Sequence, residues 1–152
     1  MDEKTSTDIP DLSQMPNDWW RGVQQQAVEQ VRKTGTTAGL PADGPVIVVT
    51  MTGAKTGLPR PVPLLRIQHE GSYVIVASKA GASREPVWAG NVRANPNVAV
   101  QDREVTRSFT AREVTGSERE IWWERAVAAQ PAESGYAAKT DRVFPLFVLD
   151  PA

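Results

Sequence analysis

Two rhythms divide the chain. Between residues 17 and 35 the apolar side chains recur at helical spacing, and from residue 45 onward they come mostly in short β-branched runs. Trp20, Val23, Ala27 and Val31 form one stripe with a 3.6-residue period, opposed by a polar face carrying Arg21, Gln24 and Gln25. This predicts a helix capped by Asn17 or Asp18 and running to about Lys33, with Arg32 and Lys33 in its last turn and Gly35 as its stop. Such a helix lies on the core. Contact of Trp19 and Trp20 with a membrane surface is the weaker alternative, because the polar face is not strongly basic.

The β-type half begins with PVIVVTM, a continuous apolar run of the kind a buried strand needs. The turn TGAKTGLPR leads to a second strand, VPLLRIQ, and the tight hairpin HEGS to a third, YVIVAS. After the loop KAGASRE, Pro86 suits the first turn of a short helix through Val87, Trp88 and Val92 that ends before Asn95-Pro96. VAVQD and EVTRSFTAREVT read as the fourth and fifth strands. Ser117 and Glu120 have capping-box spacing and open a helix to about Gln130, where Pro131 breaks it. An irregular or helical piece holds Tyr136, and VFPLFVL is a sixth strand whose Pro145 requires an edge or a bulge.

Successive hairpins imply an antiparallel sheet, and six strands with few helices can curl into a small β-barrel with peripheral helices, an α+β arrangement. Residues 1–16 read as a mobile polar tail and residues 17–152 as a single domain. The full length of 152 residues suits one domain.

Composition narrows the function by exclusion. The net charge is -1, which argues against a nucleic-acid partner and confines any anion site to a local patch. The chain has no cysteine and one histidine, His69, so thiol chemistry, Cys-ligated zinc, multi-His metal sites and a His-based triad are excluded. No metal site is expected. No apolar run reaches the length of a membrane span, and the acidic, polar N-terminus lacks the features of a secretory signal, so the cytoplasm is the expected location.

Three segments carry candidate chemistry. In Thr50–Arg60, Gly53 and Gly57 permit positive φ, so that successive N–H groups around Ala54 and Thr56 can face one concavity, while Lys55 and Arg60 add charge. This suits a phosphate, with a polar hairpin bearing two solvated cations as the alternative. It is not a Walker loop, since GxxxxGK[ST] is absent. In Ala77-Ser78-Lys79-Ala80-Gly81-Ala82 small side chains let a flat ring approach the backbone; an ordinary connecting loop is the alternative. Trp88 and Asn91, three apart on one helix face, can wall an aromatic ligand and offer a polar handle, or serve as a core tryptophan and a capping or solvated amide. No carboxylate pair or nucleophilic set stands out, which favours chemistry carried by an organic cofactor.

Together, TMTGAKTGLPRPVPL, YVIVASKAGASREPVWAGNVRANPNVAV and TDRVFPLFVLDP resemble the deazaflavin-dependent nitroreductase family, F420-dependent split β-barrel reductases. The resemblance spans about Val46 to Pro151. It implies a mostly antiparallel split β-barrel related to flavin-mononucleotide-binding oxidases, with coenzyme F420 as the cofactor. Flavin mononucleotide is the alternative cofactor, and a non-catalytic coenzyme carrier the alternative role. By this resemblance Ala54, Lys55, Thr56 and Arg60 bind the coenzyme's phosphate, and Pro61, Val62 and Pro63 line its channel. Val76, Ala77, Ser78 and Lys79 meet the ring through the backbone, and Val87, Trp88 and Asn91 complete the pocket. A hydride passes to a small electrophile: a quinone, an activated enone or lactone, or a nitroaromatic. Ser78 is expected to hydrogen-bond ring or substrate, and Tyr136 to stack on the substrate or donate a proton. Members that activate nitroimidazoles carry several tyrosines between 130 and 136. Here Gln130 and Glu133 stand in two of those places and Tyr136 remains. The expected assembly is a monomer or a homodimer.

Overall fold

The computed structural model describes residues 12–40 and 44–152. Most of the expected tail lies outside the described residues, but Leu12–Gln14 forms a 3₁₀ turn. Helix α1, Asn17–Thr34, follows. Its N-cap is Pro16 rather than Asn17 or Asp18, with no side-chain cap, and its C-cap is Gly35 at φ 73°, whose N–H donates to the Val31 carbonyl. Strands β1 (Val46–Thr52), β2 (Pro59–Leu65), β3 (Gln68–His69) and β4 (Ser72–Val76) come next. Helix α2 (Val87–Ala94), strands β5 (Asn97–Asp102) and β6 (Val105–Glu113), helices α3 (Gly116–Ala129) and α4 (Ala132–Ala138) and strand β7 (Leu146–Pro151) complete the chain. The capping box does not form. Helix α3 starts at Gly116 behind an N-cap at Thr115, so Ser117 already lies inside the first turn. Pro145 falls just before β7, where a missing N–H costs no ladder bond, and its carbonyl accepts from Ala77 N–H at 2.9 Å.

Seven strands make one sheet in the order β2-β1-β5-β6-β7-β4-β3, and every pairing is antiparallel. The two strands at its edges, β2 and β3, are joined by Arg66 and Ile67 alone. The expected second strand, VPLLRIQ, is therefore one strand bent at its middle. Its first half pairs with β1 and its second half with β4, so the sheet closes on itself as a barrel. Glu70 (φ 50°) and Gly71 (φ 85°) make the two-residue turn from β3 to β4.

The strand faces explain the uninterrupted apolar runs. On β4, Tyr73 and Ile75 point into the barrel with Ile47, Val49, Phe109 and Phe147, while Val74 points outward to a second core under α3, with Trp122, Ala126, Phe144 and Val148. A strand buried on both sides has no polar alternation to show.

The bend carries a polar tie. Arg66 Nε donates to Asp102 Oδ2 at 2.7 Å, and the Tyr73 hydroxyl donates to the same oxygen at 2.6 Å. Burial pushes the Asp102 carboxyl upward, but the bonds from Tyr73 and Arg66 outweigh it and hold it below the usual carboxylate range. Burial, helped by the Asp102 bond, pushes the Tyr73 phenol up to about 12. The folded protein therefore binds the Asp102 proton less readily than the unfolded chain, and the tie stabilises above the ordinary value of 3.8 and is lost as pH falls through the folded value. D102N should cost about 1.5–3 kcal/mol near neutrality. Its melting temperature should converge on that of the unsubstituted protein as pH drops below about 4, as urea or thermal melts across pH would show.

Candidate functional site

Past the bend, β2 and β4 diverge, and the gap between them is a cleft of about 1310 Å³. Pro59 to Leu65 line one side; Ile75, Val76 and Ser78 line the other. Prolines 59, 61 and 63 alternate along β2, which pairs with β1 on its other side. A proline in a paired strand must turn its nitrogen away from the partner, so this edge offers no N–H at those positions to another strand.

At the mouth, the β1–β2 hairpin is held by Gly53 N–H to the Leu58 carbonyl and Gly57 N–H to the Gly53 carbonyl, both at 2.8 Å. Gly57 adopts positive φ, 72°, as expected, but Gly53 does not. Gly53 is needed for space: a Cβ there would meet Thr56 Oγ1 at 2.7 Å and Arg60 Nε at 3.3 Å. Arg60 donates to the Thr56 hydroxyl at 3.3 Å. Among the described residues neither Lys55 nor Arg60 has a carboxylate partner, whereas Arg66, Arg93 and Arg112 all do.

Deeper in, the chain leaves β4 through a 3₁₀ turn, Lys79–Gly81, in which Lys79 (φ 48°), Ala80 (φ 54°) and Gly81 (φ 82°) are all left-handed. Arg142 fixes this turn. Its guanidinium donates to the carbonyls of Ala77 at 3.0 Å, Ser78 at 2.6 Å and Ala82 at 2.9 Å. Burial, together with the charges of Arg142 and Arg84, lowers the Lys79 ammonium, which donates to the Asn17 side chain at the start of α1. Helix α4 rests on the turn, bringing Glu133 and Tyr136 to the cleft beside Ser78. Glu133 is 5% exposed, and burial pushes its carboxyl up against the smaller, opposing influence of the Ser78 hydroxyl.

The cleft thus gathers Ala54, Lys55, Thr56, Arg60, Pro61, Val62, Pro63, Val76, Ser78, Lys79, Val87, Trp88, Asn91 and Tyr136. Ala77 is the exception. It is fully buried, with its N–H bound to Pro145 and its carbonyl to Arg142, so its polar groups are used within the fold. Asn91 is not a free handle, since its Oδ1 accepts from Ala54 N–H at 2.9 Å and thereby ties α2 to the hairpin. Trp88 meets both readings at once, packing edge-on against Phe147 at 5.9 Å and walling the cleft. Helix α1 buries only Val31 and flanks the cleft through Trp20, whose indole N–H is buried without a partner. Among the described residues no helix is long and apolar enough to cross a membrane, and no His, Asp and Glu group could hold a metal ion. Arg142, Glu133 and Trp20 were not marked as site residues by local pattern, because each acts on a segment distant in sequence.

The family model for F420H(2)-dependent quinone reductases matches residues 22–151. The chain belongs to the F420H(2)-dependent quinone reductase family. The match includes most of α1, beyond the stretch the motifs covered. An F420H(2)-dependent quinone reductase of Mycobacterium tuberculosis is 32% identical over 115 residues, covering 72% of this chain and 76% of that one. The solved structure of an F420-H2 dependent reductase, FDR-A, is 47% identical and superposes with a TM-score of 0.66, covering 69% of this chain and 93% of that one. A structure described as a domain-swapped dimer is 45% identical with a TM-score of 0.69, covering 90% of this chain and all of that one. The fold is the split β-barrel, and a family member of this kind is an oxidoreductase using coenzyme F420. The cleft fits that coenzyme: Lys55 and Arg60, which have no carboxylate partner among the described residues, suit its anionic tail, and the small residues just after β4 suit a flat ring.

Gly81 is the most constrained glycine at the site, for a Cβ there would lie 2.7 Å from the Tyr136 carbonyl oxygen. Gly71, with φ 85° and open space around it, is its control. G71A should cost about 1–2 kcal/mol for a left-handed alanine, and G81A clearly more, because α4 must also move. Equal losses in thermal melts would show that the α4 contact is soft.

Proposed function

We propose that this reductase uses its cleft to hold coenzyme F420 along β2, with the phosphate and glutamate tail at the β1–β2 hairpin and the ring near Val76 and Ser78. The observation that carries this reading is the pair Lys55 and Arg60, which form no ion pair among the described residues and line one end of a cleft whose other end holds Val76 and Ser78. In it, Lys55, Arg60 and the Thr56 hydroxyl grip the phosphate, and Pro61, Val62 and Pro63 form the channel wall. Val87 and Trp88 form the opposite wall. Lys79 meets the ring through its backbone, in the strained turn, while its ammonium is held by Asn17. When bound and reduced, the coenzyme supplies a hydride from C5 of its deazaflavin.

The acceptor is a small electrophile, with a quinone favoured by the family and by the name of the M. tuberculosis relative. Activated enones or lactones and nitroaromatics are the neighbouring classes. Ser78 hydrogen-bonds the acceptor and Tyr136 stacks on it, while the barrel wall and α1 exclude water from the reacting atoms. A cytoplasmic location suits such a reductant, and the similarity to a domain-swapped dimer favours a homodimer over a monomer.

Fluorescence titration with F420 and with flavin mononucleotide tests the reading directly. Tight F420 binding and weak flavin binding are expected; the reverse would move the protein to flavin chemistry. K55A and R60A should each weaken F420 binding by about 1.5–3 kcal/mol, the range for hydrogen bonds to charged groups. Dissociation constants that do not change would remove the phosphate assignment. Tight binding without turnover on quinones, enones and nitro compounds would mark a carrier.

A further inference from the structure

A carbonyl acceptor that gains a hydride must also gain a proton, and the roles assigned above leave its source open. Glu133 is the most deeply buried acid lining the cleft, 5% exposed. Ser78, itself 6% exposed, lines the cleft with it, and its hydroxyl works against the upward push of burial on the carboxyl. One carboxyl oxygen, Oε1, is buried without any partner among the described residues. A buried carboxylate with an unpartnered oxygen is costly, whereas a carboxylic acid there spends its proton as a donor and needs no counter-charge.

No charge around the site compensates that cost. Lys79, on the turn packed against α4, is turned to Asn17. Arg142, from the loop after α4, is held by three carbonyls. From α3, Arg119 reaches the Phe144 carbonyl and Arg125 lies over the Trp122 ring. Lys139, at the end of α4, lies over the Tyr136 ring. Among the described residues, the group that opposes burial at Glu133 is the Ser78 hydroxyl.

We propose that Glu133 holds the proton used in the reduction and passes it through the Ser78 hydroxyl to the carbonyl oxygen of the acceptor. The inference rests on the reductase reading above. The acceptor takes a hydride, with its electron pair, from the reduced coenzyme. As charge builds on the carbonyl oxygen, that oxygen takes the Ser78 proton, and Ser78 Oγ takes the proton of the Glu133 carboxyl. A quinone leaves as hydroquinone, the coenzyme is left oxidised, and Glu133 is left as a carboxylate that regains its proton from water when the product departs. Glu133 acts through Ser78 and is a positioning and proton-storing residue; the group touching the acceptor is Ser78.

E133Q keeps the shape and a hydrogen bond to Ser78 but cannot supply the proton. The same samples are read three ways: F420 dissociation constant, turnover of a quinone across pH, and melting temperature across pH without coenzyme. The expected result is F420 affinity unchanged and turnover lower by about 10²-fold or more, the range for general acid catalysis. The turnover of the unsubstituted enzyme should fall as pH rises through the folded Glu133 value, and that limb should vanish in E133Q. Because the folded value lies above the ordinary 4.5, the stability owed to Glu133 is complete below that pH and is lost as pH rises through the folded value. E133Q should therefore become the more stable form toward neutral pH, and E133D should recover part of the turnover. If E133Q does not fold, a carboxylic-acid band in the infrared spectrum of the unsubstituted protein that shifts in E133D decides the protonation, and no such band near neutral pH overturns the proposal. E133Q with normal F420 binding and the unsubstituted pH profile of turnover overturns the proposal and leaves the reductase reading standing. Failure of the unsubstituted protein to bind F420 overturns both.

Discussion

The site depends on one strand bending across Arg66 and Ile67. Had the segment 59–69 stayed straight, it would pair along its whole length with β1 and leave both sheet edges open. Bent, it closes the barrel through its short second half and lets its first half swing away from β4. The bend is stabilised where three parts of the sheet meet, since Asp102 at the end of β5 accepts from Arg66 at the corner and from Tyr73 on β4. The three prolines keep the open edge of β2 from capturing another strand, so the gap persists as a cleft.

Charge placement follows the same economy. Elsewhere on the barrel two arginines sit between carboxylates: Arg93 between Glu85 and Glu113, Arg112 between Glu118 and Asp150. Lys55 and Arg60 do not, so they can present a local positive field although the net charge is -1. Lys55 and Arg60 sit on a hairpin whose backbone bonds are internally satisfied, and Asn91 pins that hairpin to α2. The anion end of the cleft is thus rigid before any ligand arrives, which lowers the ordering cost of binding.

The strands were legible because β-branched runs have few alternatives, and the hairpin because glycine, threonine and two cations between buried strands is an unusual composition. What local pattern missed were matters of tertiary geometry. VPLLRIQ reads as one strand because its apolar content is continuous, and only its two partners reveal the bend. Gly53 reads as a positive-φ glycine, yet it makes room for Thr56 and Arg60. Ser117 and Glu120 have the right spacing for a capping box, but the preceding Gly116 already enters the helix. Ala77 and Asn91 belong to the right segments, while their polar groups are used to hold the site together. Glu133 stands where the resemblance leads one to expect a tyrosine, and its burial beside the cleft depends on how α4 packs against the turn.

That turn shows why the support matters as much as the contact residues. Two consecutive non-glycine residues in the left-handed region, Lys79 and Ala80, cost on the order of 1–3 kcal/mol each. An isolated loop would relax. It does not relax here because Arg142 holds three carbonyls across residues 77–82, each bond charge-assisted, and because α4 lies directly on Gly81. The same arrangement fixes the backbone of Ser78, whose carbonyl accepts from Arg142 at 2.6 Å. With its backbone held, the Ser78 side chain springs into the cleft from a set point, and that point is set by a residue 64 places away in the chain.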